Sequence, residues 1–363
     1  MERLRLVNKR SRLHYREAYG NYMAGKRLVL LALIALLIGV ALFSITAGSA
    51  GLTLGEVFRT FMGTGTTQAQ AIVWNVRLPR IFTAIVVGGA LALAGCVMQS
   101  VLRNPLASSS TLGISHGAAF GAAIAIVYFS AGSQHNAAGS GAISITNPYL
   151  VTACAFMGGM ISVFVILVLS RIKTVTPAAM VLAGVALSSL FRGGVALVQY
   201  FADDVALASV VYWTFGDLGR TSWHEIGLIL IILGPTFVYF MFNSWSYNGI
   251  QSGSQTARSL GIHVDQLIIV SMVLAALLAA SAVSFVGIID FVGLVAPHMV
   301  RKFVGSDYRF LLPASMLAGA CILLLSDLCS RTIIAPIVLP IGAITSFLGA
   351  PLFIYLIYKG AKK

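Results

Sequence analysis

Acidic residues are few in this sequence, and two of them, Asp290 and Asp327, sit in or beside apolar stretches. An ionisable group inside lipid costs several kcal/mol unless it is paired or hydrated, so by default it marks a functional hypothesis. For Asp290 that role would be ion or proton coupling, because it adjoins an apolar stretch interrupted by Gly and Pro, as secondary transporters use near the midplane. The structural alternative weighs more: Asp290 would accept hydrogen bonds from backbone freed by the interruption, and Asp327 would pair with Arg331 one helical turn on.

Other candidate chemistries fall one residue short. Gly20 to Arg27 follows G-x-x-x-x-G-K but has Arg27 where a nucleotide-binding loop needs a hydroxyl for Mg²⁺, and no strand precedes it. His224-Glu225 opens like the zinc-protease pattern H-E-x-x-H, but position 228 is Leu. The six histidines (His14, His116, His135, His224, His263 and His298) lack ligand spacing, and no G-x-S-x-G elbow occurs. His116 could suggest haem ligation, yet a single His in a Gly- and Ala-rich helix is more often packed. Cys96, Cys154, Cys321 and Cys329 all fall in apolar stretches and read as small buried hydrophobes. These residues predict no catalytic site, no metal and no cofactor held by this chain.

The elements that carry them are apolar. Of 363 residues, 58% are hydrophobic and 10% charged, too few charges to cover a water-facing surface. Apolar runs of about 20 residues have the length a helix needs to cross the hydrocarbon layer and are too continuous for barrel strands. The expected fold is an all-α, polytopic membrane protein with spans at 28–47, 81–101, 111–129, 149–170, 177–201, 224–242, 264–284, 286–300, 311–329 and 340–358, ten in all. The first run is longer than a signal-peptide core, so it is taken as a span.

A net charge of +13 would ordinarily suggest an acidic partner such as nucleic acid, but the placement of the basic residues argues for topology. Eight of the 24 Lys and Arg precede the first span, and Lys359, Lys362 and Lys363 follow the last, which makes both ends cytoplasmic. Arg59, Arg77, Arg80, Arg220 and Arg331 then fall outside and Arg192 within a span. The resulting division is a basic cytoplasmic segment at 1–27, a transmembrane domain at 28–359 and a tail at 360–363. A short helix at 205–217 would lie on the outer face with Tyr212 and Trp213 at the interface, and a polar cytoplasmic loop would run from 243 to 263.

Four blocks in this order, RLPRIFTAIVVGGALALAGCVMQSVLRNPLASSSTLGISHGAAFGAA (77–123), LAGVALSSL (182–190), FVGLVAPHMVR (291–301) and LPIGAITSFLGAPLFIYLIYK (339–359), resemble the FecCD-type permease family, the membrane subunits of type II ABC importers. The resemblance implies the type II importer permease fold and a prokaryotic cytoplasmic (inner) membrane location. Its implied partners are a second permease subunit, two cytoplasmic ABC ATPases that use ATP and Mg, and an external substrate-binding protein. It carries docking of the binding protein onto Arg77, Arg80 and Arg331, and coupling to the ATPase onto Thr256, Ala257, Arg258, Ser259, Leu260 and Gly261. Two residues before that segment, Ser254 stands where the family has Glu. The inner gate maps to Thr176, Pro177 and Ala178. Asp290 stands where many relatives have Gly, and Asp290, His116, Pro297 and His298 are pathway or structural residues. The implied cargo is an iron complex (ferric siderophore or haem), with cobalamin as the alternative; an ion-coupled secondary transporter using Asp290 is the reading from another class.

Overall fold

The structure, a computed structural model, describes residues 2–48, 53–134, 143–145, 147–172 and 177–361. Helix α1 (Glu2–Thr46) leads to two short helices, α2 (Leu54–Phe61) and α3 (Thr67–Ile72). A π turn over Val73–Arg77 joins α3 to α4 (Leu78–Val101), and Pro79 suits the first turn of α4, where its missing N–H costs nothing. Then come α5 (Ile114–Tyr128), a hairpin of β1 (Gly132–Gln134) and β2 (Ile143–Ile145), α6 (Pro148–Ile172), α7 (Pro177–Tyr200) and α8 (Asp204–Thr214). The remainder is α9 (Trp223–Phe242), α10 (Ser244–Gln251), α11 (Ser254–Ser259), α12 (Val264–Val286), α13 (Val292–Val304), α14 (Tyr308–Thr332) and α15 (Ile341–Ala361).

Each expected apolar stretch falls on a helix. Among the described residues, seven helices have the length and apolarity to cross a bilayer: α1 from Tyr22, the α3–α4 rod, α6, α7, α9, α12 and α14. Helices α5 and α13, with 15 and 13 residues, are shorter, as is the stretch Ile341–Tyr355 of α15.

Helix α4 is the central post, packed against α9, α12, α13 and α14. Lipid tails supply no hydrophobic drive between helices, so contact depends on close backbone approach at small residues. Gly88 meets the backbone of Gly319 on α14, and Gly95 meets Gly293 on α13; a methyl at either site would strike main chain. Gly117 of α5 faces Gly158 of α6 in the same way. By contrast α1 and α7 expose broad apolar faces, including Leu31, Leu42, Leu182 and Leu197.

Several local expectations change. Helix α1 runs unbroken through position 27/28, and Lys26 is buried against Asp307 at 3.8 Å and the rings of Tyr22 and Phe310. The expected span at 286–300 is shifted. Residues 287–291 break the helix, with Gly287 and Phe291 at φ of 84° and 67°, and α13 runs on to Val304. The short helix expected at 205–217 is α8, with Trp213 buried and Tyr212 exposed. The 243–263 loop is itself mostly helical, as α10 and α11.

Candidate functional site

Polar residues gather at three levels. At one end of the bundle, buried Asp327 on α14 accepts from Arg80 Nε at 2.7 Å and from Arg331 Nε at 2.9 Å, and Arg80 also lies 3.5 Å from Asp217. Arg331 further donates to Ser44 Oγ at 2.7 Å and the Ala47 carbonyl at 3.1 Å, while Arg77 donates to the Ile45 and Thr46 carbonyls. These arginines therefore tie α1, α4 and α14 together. Their guanidiniums face inward, and the carboxylate-pairing capacity expected for docking is already engaged. The predicted Asp327–Arg331 pair is present; the share taken by Arg80, 247 residues away, had no local signal.

At mid-bundle the chain between α4 and α5 climbs into the interior as a non-helical loop. Such backbone is tolerated at membrane depth only where protein covers it or it lines a hydrated cavity. Ser108 and Ser109 are buried, and Thr111 Oγ1 accepts from Ser108 N at 2.8 Å. Ser188 of α7 donates to the Ser110 carbonyl at 3.1 Å, and Ser162 of α6 to that of Leu112 at 2.6 Å. Asp290, in the break before α13, has Ser110 as its polar neighbour and one buried carboxylate oxygen without a partner among the described residues. The expected backbone donors do not reach that oxygen. One turn along α7 from Ser188, Arg192 is exposed and bonded to Ser189 Oγ at 3.3 Å, and His116 is half-buried in the first turn of α5. Asp290, Ser110 and Ser188 form one polar seam among otherwise apolar helices, with Arg192 on the next turn of α7 and His116 on α5 as further polar positions that no described hydrogen bond joins to it. Pro297 is buried in α13, and His298 packs edge-on against Phe353 of α15 at 6.1 Å with Nδ1 unpartnered among the described residues. Neither joins the seam through a described contact.

At the opposite end, α10 is fixed to the start of α14: Asn248 Nδ2 donates to Asp307 at 3.2 Å, and Tyr308 N returns a bond to Asn248 Oδ1 at 2.9 Å. Tyr247 reaches Ser271 of α12 at 2.7 Å. Helix α11 hangs from this mount. Ala257 is buried, whereas Thr256, Arg258, Ser259, Leu260 and Gly261 are exposed, and Arg258 pairs with exposed Asp265 at 3.0 Å. Leu260 is 69% exposed. Of the expected gate, Thr176 lies outside the described residues, and Pro177 and Ala178 open α7. His224-Glu225 is explained without zinc: Ser222 and Glu225 form a reciprocal helix cap.

The sequence profile of the FecCD transport family matches residues 35–359. The chain belongs to the FecCD transport family. It is 49% identical over 347 residues to an ABC transporter permease protein of Methanocaldococcus jannaschii, covering 96% of this chain and 99% of that one. It is 37% identical over 339 residues to the hemin transport system permease protein of Yersinia pestis, covering 92% and 96%. Further curated matches are named for vitamin B12 and iron(3+)-hydroxamate import. Among solved structures, an inward-facing metal-chelate type ABC transporter superposes with a TM-score of 0.79 at 30% identity, over 92% of this chain and 99% of that one. The fold is thus the helical permease fold of this family, and the seam belongs to a transport protein.

Proposed function

We propose that this chain is the permease of an ABC importer whose cargo is an anionic iron complex, a ferric siderophore or haem, delivered by an external binding protein. Arg192 carries the proposal. A guanidinium on the exposed side of a span is too costly to face lipid, so this side of α7 lines a hydrated passage. A fixed positive charge there, beside His116, favours an anionic cargo over cobalamin, whose corrin side chains are neutral amides.

Around that passage the remaining roles follow. A second copy covers α7 and α15, both ends of the chain are cytoplasmic, and ten helices cross the inner membrane. Two ATPase subunits, using ATP and Mg, engage Thr256 to Gly261 and move α10 and α11 as a lever for alternating access at Thr176, Pro177 and Ala178. Docking of the binding protein by Arg77, Arg80 and Arg331 would require them to exchange their internal partners. Asp290 keeps the seam hydrated; ion coupling through it is the competing reading.

The test is uptake into proteoliposomes holding the permease with its ATPase and binding protein. We expect ATP-dependent uptake of a ferric chelate or haem that survives collapse of the proton gradient and falls about tenfold or more in Arg192→Gln, the loss of one charge-assisted contact. Uptake of cobalamin at an equal rate, or an unaffected Arg192→Gln variant, would overturn the anionic cargo. Dependence on the proton gradient would overturn the ATP-driven reading.

A further inference from the structure

We infer that a cavity of about 200 Å³ at the Lys26–Asp307 end, lined by Arg103, Asn104, Gln251, Arg301, Ser306 and Tyr308, binds a phosphate-type oxyanion. It lies apart from the seam, among the ends of α4 and α13, the start of α14 and the α10 lever, and does not depend on the identity of the cargo. Its donors converge: Gln251 Nε2 is already engaged with the Ser100 carbonyl at 3.4 Å and Tyr308 Oη at 3.2 Å, whereas those of Arg103 and Asn104 are without acceptors among the described residues. The Arg103 side chain has no partner among the described residues, and its backbone is held at φ 46°, a conformation a non-glycine residue rarely adopts and one that clusters at binding sites. Arg301 donates to Gln99 Oε1 at 3.3 Å and retains further N–H groups, while Asn104 accepts from Leu106 N at 2.9 Å and keeps both amide hydrogens.

Among the described residues, no carboxylate lines the cavity. Asp307, the acid next to Ser306 in the chain, is taken by Arg309 at 2.7 Å, Asn248 at 3.2 Å and Lys26 at 3.8 Å. Two guanidiniums on separate elements, with amide and hydroxyl groups between them, match the several acceptor oxygens of a phosphate better than a single planar carboxylate. Phosphate can arrive free or as a lipid headgroup. Basic pockets among helix ends on the cytoplasmic side suit anionic headgroups, and exposed Leu106 and Phe303 adjoin the cavity along the chain. Either way, an anion bridging Arg103 and Arg301 would stiffen the junction between the central post and α10.

The experiment uses the full-length permease in nanodiscs. Free inorganic phosphate is titrated calorimetrically in phosphatidylcholine discs, and phosphatidylglycerol retention is read by native mass spectrometry from mixed discs. Phosphate binding in the first arm identifies the free anion. Phosphatidylglycerol retained in the second arm and displaced by added phosphate identifies the headgroup. In whichever arm binds, Arg103→Gln, an exposed position that leaves the packing intact, should weaken binding about tenfold, and Ser306→Glu, which installs a competing carboxylate, should abolish it. Absence of binding in both arms, or equal binding by wild type and Arg103→Gln, overturns the inference.

Discussion

At the residue scale, buried charge is where single substitutions act most strongly. Asp327 is fully buried between two guanidiniums. Removing its charge leaves Arg80 and Arg331 uncompensated, so Asp327→Asn should lower stability by about 3–5 kcal/mol, read by thermal unfolding in detergent. The Asp307 clasp behaves differently because it is partly open to solvent and its partners include a backbone N–H and an amide as well as Arg309. Burial would raise its carboxyl, but hydrogen bonds from Arg309 and Asn248 outweigh this and bring it down to about 2. A depressed carboxyl contributes stability that is complete above its ordinary value and lost as pH falls through the folded-state value. The stability difference between wild type and Asp307→Asn should therefore be constant from about pH 8 to 5 and vanish only near pH 2. Asp327's pairing with Arg331 was legible from i,i+4 spacing. Arg80's was not, because nothing local marks a partner on another helix. The Thr53–Glu56 and Ser222–Glu225 caps were written in the S/T-x-x-E pattern, the second obscured by its likeness to a zinc motif.

At the scale of elements, composition and length located the apolar helices, and charge bias proposed their direction. Less legible were exact helix ends: the sequence marked an interruption beside Asp290, but where the helix stops and restarts is set by backbone geometry, with Gly287 and Phe291 both at positive φ. The glycine contacts give a sharper test. Gly95→Ala drives a methyl into the Gly293 backbone and should cost about 1–3 kcal/mol. Gly39→Ala on the lipid-facing side of α1 meets nothing and should be neutral or gain up to about 1 kcal/mol in helix propensity. Paired thermal melts compare the two directly.

At the scale of the molecule, the exposed face of α7 is incomplete alone, because it carries Arg192 among Leu182, Leu190 and Leu197. A second copy would enclose that charge. Photobleaching of single labelled particles in bilayers should count two subunits per particle; a population of single subunits would refute the enclosure. Family membership was readable from ordered blocks of sequence. The seam was not, because it joins residues from 110 to 290 that only folding brings together.

The glycine-to-backbone contacts along α4 also bear on how such proteins diversify. Where two main chains touch, no side chain stands between them to be exchanged, so that part of the molecule has almost no sequence neighbours it can drift into. The wall bearing Arg192 has open space beside Gly193 and few packed partners. Changes of cargo over generations would then be recorded on α7, while the central post stays nearly constant.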